Sequence, residues 1–387
     1  MSLTPNPSKL YFKNLHGFRF FAAALVILTH LELFKKRAGL VNYWDNPFFF
    51  EAGAAGVDFF FVLSGFLITS LLLKEMENYG SIDLSKFYIR RILRIWPLYY
   101  LVLFLCYFLL PQIPLLQYPG YSEGIFQDFY AKFWLSFFFL PNAALAFYPN
   151  IPYAAPLWSV GVEEQFYLFW PVLLMLFPKK LKTYLIFIGS FIFIKALLVI
   201  INRFHVMDPV LFEKIKSFVV ATRMECMGIG GLGAWLIYSR TKIGKVISSN
   251  LSLIIVFFTL PFIFIFAKRL FELHHIIFSI CFLVIILNGA TNPKTFINLE
   301  NKVFLTLGNI SYGLYLWHMI WIGMFLNILL IWKPFQGNEL WFNITLYTGA
   351  FILSILWSWL SYTYFETLFL NIKKRFAVIV SGVDARN

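Results

Sequence analysis

The chain has 387 residues, of which 60% are hydrophobic and only 13% charged, with 48 Phe, 12 Trp and a formal net charge of +13. Soluble domains carry about 25% charged residues, so this composition excludes a soluble globular enzyme and indicates an all-α, polytopic transmembrane helix bundle. The basic excess belongs to the cytoplasmic loops of such a protein rather than to a nucleic-acid partner.

In chain order, the N-terminal stretch MSLTPNPSKLYFKNLHG leads into an apolar run with no small-residue cleavage site, so no removable signal peptide is expected. Eleven apolar windows follow, at 16–35, 54–75, 92–111, 131–148, 164–178, 182–201, 217–238, 249–267, 272–289, 306–331 and 340–361. The fourth carries Pro141-Asn142 at its middle and is expected not to cross. Ten crossings with both termini cytoplasmic then place nearly twice as many Lys and Arg inside as outside. Letting the fourth window cross would invert everything after it and reverse the bias, against the positive-inside rule. No soluble domain, linker or repeat is evident, so residues 1–376 form one membrane domain and 377–387 a short cytoplasmic tail. Cys106, Cys226 and Cys281 all lie in apolar runs, with neither disulfide nor metal spacing.

Ionisable residues at membrane depth carry the functional signal. Arg19 and His30 are eleven residues apart, which returns to within about 20° of the same helix face about 16 Å further along the axis. Glu32 projects about 200° from His30 and takes no part in that stripe. Lys35, Lys36 and Arg37 just beyond are not explained by topology, and they are candidates for drawing an anionic acceptor. Asp58, in GAAGVDFFFVLSGF, lies at a depth similar to His30; it is either a partner for that histidine or a carboxylate favoured by the helix N-terminus. The glycines of that stretch suit close helix packing.

The third window opens KFYIRRILRIWPLYY, where Arg90, Arg91 and Arg94 cluster as a phosphate clamp, since guanidinium groups bind phosphate through bidentate, charge-assisted hydrogen bonds. In APLWSVGVEEQFYLFWP, Glu163, Glu164 and Tyr167 either favour a helix N-terminus or bind a hydroxylated acceptor. Arg223 and Glu225 are two residues apart and do not face each other, so each needs a partner on another helix. His318, in SYGLYLWHMIW, is either a packing or a site residue. The GxGGxG string at 228–233 lies in an apolar run after no strand, so its glycines are read as packing residues rather than a phosphate loop.

Taken in order, Arg-x10-His, GVDFFFVLSGF, RRILR-W-P, WSVGVEEQFYLFWP, R-x-E-x4-G, SYGLYLWH and the closing YTYFETLF resemble the membrane-bound acyltransferase-3 family over nearly the whole chain, in its stand-alone form. Gly161 departs from the pattern, where the family often has a bulkier residue. The resemblance implies a multi-pass protein of the bacterial cytoplasmic membrane. It also implies transfer of an acyl group, most often acetyl, from cytoplasmic acyl-CoA to a hydroxyl of an O-antigen, peptidoglycan, exopolysaccharide or smaller glycoside, without a metal. It carries the catalytic histidine over to His30, its partner arginine to Arg19, and the arginines opening the third span to Arg91 and Arg94.

The mechanism expected on this basis has Arg19, Arg90, Arg91 and Arg94 hold the donor. His30 is the general base, with Asp58 or Glu163 fixing its tautomer, and a transient acyl-histidine is the variant route. Glu164, Tyr167, Arg223 and His318 contact the acceptor, which enters over 112–163. A proton-coupled transporter is the alternative from another class, but the inverted repeats it requires are not seen.

Overall fold

A computed structural model of the chain describes residues 9–117, 126–151, 153–177, 180–204, 207–266, 273–333 and 337–382. It is built almost wholly of helices, in the order α1 (Leu15–Arg37), α2 (Pro47–Tyr79), α3 (Leu84–Phe104), α4 (Phe129–Phe137), α5 (Pro141–Phe147), α6 (Leu157–Leu176), α7 (Leu181–Arg203) and α8 (Pro209–Thr222). The second half continues with α9 (Met224–Tyr238), α10 (Lys242–Ile247), α11 (Asn250–Phe266), α12 (His274–Thr291), α13 (Lys302–Asn309), α14 (Ser311–Trp332), α15 (Glu339–Ser361) and α16 (Thr367–Lys374). A two-residue parallel pairing joins β1 (Lys9–Leu10) to β2 (Val380–Ser381). It sets the two ends of the described chain side by side. The expected tail is therefore tied down as far as residue 382, and residues 383–387 lie outside the described residues.

Local signals explain several boundaries. The Asn46 side chain accepts from Phe48 N ahead of Pro47 at the start of α2, and Gly80 at φ 75 ends that helix. The Asp83 side chain caps α3. Among the described residues, seven helices are long and apolar enough to cross a membrane, against the ten crossings expected. The differences lie at three windows. The 164–178 window belongs to α6, which begins at Leu157 and carries Glu163, Glu164 and Pro171. The 249–267 window yields only the 17 residues of α11. The 217–238 window is not one helix: it breaks at Arg223, held in the left-handed region at φ 33, between α8 and α9. The fourth window is two short helices, α4 and α5, and no continuous span. Gln165 pins that hairpin, donating to Phe139 O at 2.8 Å and Asn142 Oδ1 at 2.9 Å. A Cβ on Gly161 would meet Pro141 Cδ at 2.5 Å, which accounts for the small residue at this departure from the family pattern.

The core is the crossing of α2 with α9, flanked by α1 and α12, with α14 packed on α1. Glycines let the α2 and α9 backbones meet: a Cβ on Gly230 would sit 2.0 Å from Val62 O, and one on Gly65 1.9 Å from Met227 O. The GxGGxG glycines therefore pack helices, as expected.

Candidate active site

One large cavity, of about 410 Å³, opens on the face where β1 and β2 pair, with Leu10 and Gly382 in its wall. It runs from the exposed Asn371 and Lys374 inward to the buried Ser159 and Tyr315. Three arginines line it: Arg19 from the second turn of α1, and Arg91 and Arg94 from the N-terminal half of α3. Arg91 and Arg94 are three residues apart and so share a helix face. Among the described residues none of the three makes a hydrogen bond or a close ion pair; Arg91 lies over the rings of Phe87 and Tyr167, 5.7 and 5.9 Å from their centroids, with its Nε buried and unpartnered. Three like charges thus converge on one cavity, and among its described lining residues the single carboxylate is Glu163.

Arg90 is separate. Its Nη2 lies 3.4 Å from Glu75 Oε2, and its Nη1 donates to Phe376 O at 3.0 Å, so it ties α3 to α2 and to the chain's C-terminal end instead of joining the expected clamp. Glu163 lines the cavity and accepts from Tyr167 OH at 3.2 Å; that hydroxyl is also hydrogen-bonded to Ser64 Oγ. Glu163 is thus held by Tyr167 and not by His30. Glu164 points elsewhere, accepting from Trp96 Nε1 at 2.8 Å.

At the inner end of the cavity, Tyr315 OH and Ser159 Oγ are 2.7 Å apart. Directly behind lies His318 on α14, fully buried, its Nδ1 2.7 Å from Tyr315 O. His318 Nε2 is 2.9 Å from Nδ1 of His30, whose ring is only partly buried. Arg19 and His30 both fall on the single helix α1, as their spacing predicts. The partner of His30 is therefore His318, a residue that sequence reasoning had assigned to the acceptor.

Asp58, expected to face His30, is turned away from it. Its Oδ1 accepts from Arg223 Nη1 at 3.0 Å, and its Oδ2 lies 2.7 Å from His275 Nδ1. Asp58 and Arg223 pair with each other across α2 and the α8–α9 break, and neither lines the cavity. The other partners were not named from sequence. Glu225 is bonded to Lys195 of α7, and His274 Nε2 lies 3.4 Å from Glu51 Oε2. Glu32, which seemed idle, is fully buried; it accepts from Lys35 Nζ at 3.0 Å and also from Tyr43 N and Tyr347 OH. The only hint of these pairs in the sequence was a charge at membrane depth that must find a partner.

A bundle of helices apolar enough to cross a membrane, with an arginine-lined cavity and a buried histidine pair behind its wall, fits a membrane-embedded acyltransferase. The family model described as an acyltransferase domain, acyltransferase 3, matches residues 12–363, and the chain belongs to that family. It is 26% identical to the peptidoglycan O-acetyltransferase OatA of Listeria monocytogenes, over 95% of this chain and 57% of that protein. It is 30% identical to a putative O-acetyltransferase of Staphylococcus aureus, over 86% of this chain and 55% of the relative. A putative peptidoglycan O-acetyltransferase of Bacillus subtilis, YrhL, is 35% identical over 43% of this chain and 24% of its own. The chain thus spans about half the length of the first two. No solved structure matches.

Proposed function

We propose that this protein moves an acetyl group from acetyl-CoA, bound in the arginine-lined cavity, to a hydroxyl of a cell-envelope saccharide of the peptidoglycan, O-antigen or exopolysaccharide type, across the bacterial cytoplasmic membrane. The observation that carries the reading is the set of three arginines, Arg19, Arg91 and Arg94, around one cavity whose described lining holds a single carboxylate, Glu163, with no salt bridge to any of them. Cations in excess over carboxylates in a membrane protein serve a ligand that brings the opposite charge. CoA supplies it in its phosphates, which guanidinium groups clamp. The face that bears the paired termini is then cytoplasmic, and Lys374 stands at the donor entrance. His30 acts as general base on the acceptor hydroxyl. The hydroxyl oxygen attacks the thioester carbonyl, the C–S bond breaks, and the proton taken by His30 passes to the departing thiolate. The relatives' printed names support the acetyl group and the envelope saccharide, and peptidoglycan is the first acceptor to examine.

Membranes from cells expressing the protein, given labelled acetyl-CoA, should gain base-labile acetate on envelope saccharide, identified by mass spectrometry. His30→Ala should abolish this gain while the purified protein still binds CoA. Transfer at the normal rate by that variant would sink the reading.

A further inference from the structure

The contacts of the His30–His318 pair also determine where its protons sit. A backbone carbonyl has no proton to give, so at 2.7 Å from Tyr315 O the His318 Nδ1 must be the donor. In a neutral imidazole the other nitrogen then carries the lone pair, so His318 Nε2 is the acceptor of the 2.9 Å contact. The His30 ring is also hydrogen-bonded to the backbone of Val26 on its own helix, and toward His318 its Nδ1 must carry a hydrogen, which leaves the lone pair of His30 on Nε2. Tyr315 O, His318 and His30 form a one-way chain that ends on a basic nitrogen. Among the described residues no carboxylate takes part: Asp58 is held by Arg223 and His275, and Glu163 by Tyr167.

From this geometry we infer that His318 is the positioning residue for the base, imposing the Nε2 lone pair on His30 and holding its ring through a neutral imidazole where hydrolases use an aspartate. The inference rests on His30 being the base of the proposed transfer. When His30 takes the hydroxyl proton at Nε2, its Nδ1–H remains on His318 Nε2 and the new positive charge is shared along that hydrogen bond. The proton on Nε2 then leaves with the thiolate, and both rings return to their starting tautomers. A fixed backbone carbonyl sets the direction of the chain, so no titratable group outside the pair is needed to define it. His318 sits one turn from Tyr315 on α14, and Tyr315 closes the inner end of the cavity, so the same helix that ends the donor path orients the base beside it.

Four variants separate positioning from packing: His318→Gln, whose amide oxygen reaches the position of Nε2 while its NH2 can donate; His318→Asn, which is too short to reach His30; His318→Phe, which fills the ring's space without an acceptor; and His318→Ala. The reaction is followed as labelled acetate moved from acetyl-CoA to the endogenous saccharide of open membrane fragments, with donor concentration varied and rates normalised to folded protein. The expected result is that Asn, Phe and Ala each lower the maximal rate by about 100-fold with the KM for acetyl-CoA within about two-fold of normal, whereas Gln recovers to within about 10-fold. A Phe variant at the normal maximal rate, or a Gln variant no better than Asn, would overturn the positioning role. His30→Ala is run beside them. If it is inactive while His318→Phe is not, only the present inference falls; if it is active, the proposed function itself falls.

Discussion

The charges of this protein divide into two regions with opposite chemistry. Around the core, Asp58 meets Arg223 and His275, Glu225 meets Lys195, Glu51 meets His274, and Glu32 meets Lys35. In the cavity on the face of the paired termini, Arg19, Arg91 and Arg94 form no salt bridge among the described residues and outnumber the one lining carboxylate, Glu163. Burying an ion costs several kcal/mol unless a well-placed partner offsets it. The first region therefore uses its charges to hold helices together, and under the proposed function the second holds them for a ligand. Charges carried by the same helices are thus paired in one place and in surplus in the other.

The largest effect expected is on the paired side. Asp58→Ala leaves Arg223 buried without its carboxylate and removes the contact that holds the left-handed turn between α8 and α9. Breaking a buried pair from one side costs about 3–5 kcal/mol. Thermal unfolding in detergent should show a large fall in the midpoint. If the variant instead keeps its midpoint while losing donor affinity, Asp58 belongs with the ligand-binding charges and the division fails.

The converse experiment replaces Arg94 or Arg91 with Gln. Little stability should be lost, because no salt bridge or hydrogen bond among the described residues is broken. A hydrogen bond to a charged group contributes about 1.5–3 kcal/mol, so each variant should raise the KM for acetyl-CoA by roughly 10- to 100-fold and leave the maximal rate nearly unchanged. Arg90→Gln, which breaks the link to Glu75 and Phe376 O, should show the opposite balance. A common response of Arg90 and Arg94 would erase the distinction drawn between them.

What the sequence disclosed follows the same line. Arg19 and His30 were legible because one continuous helix carries both, so spacing alone sets their faces. Arg91 and Arg94 were legible for the same reason. The His30–His318 contact was not, because residues 288 apart meet only through the packing of α14 on α1. Asp58 was expected at His30 because depth can be read from a span, whereas the identity of the facing helix cannot. The break at Arg223 was hidden too, since neither Gly nor Pro marks it and the apolar run continues through it. Covalent periodicity fixes what lies on one helix; partners between helices depend on the fold.

Between these extremes lies the uncharged crossing of α2 and α9. Gly230→Ala places a methyl 2.0 Å from Val62 O, a contact that only a backbone shift can relieve. Overpacking of this kind costs about 1–3 kcal/mol, so the unfolding midpoint should fall by less than in Asp58→Ala, with the KM for acetyl-CoA unchanged. A raised KM with normal stability would return this glycine string to the ligand-binding side.

The smallest effect is expected where the sequence left the basic residues after α1 without a role. Lys35 is buried against Glu32, while Lys36 reaches Asp45 at 3.0 Å with both side chains well exposed. Exposed pairs of this kind contribute about 0–1 kcal/mol and are screened by salt. Lys36→Gln should therefore leave both the unfolding midpoint and the acceptor dependence of transfer within error, and raising the salt concentration should change neither. The earlier expectation that this basic run draws an anionic acceptor requires the opposite: a several-fold weaker acceptor dependence in the Lys36 variant, fading as salt is added. That result would move one exposed pair from the structural region to the functional one. It would also show that a charge already matched by a carboxylate can still serve a ligand, provided that the pair is exposed enough to open.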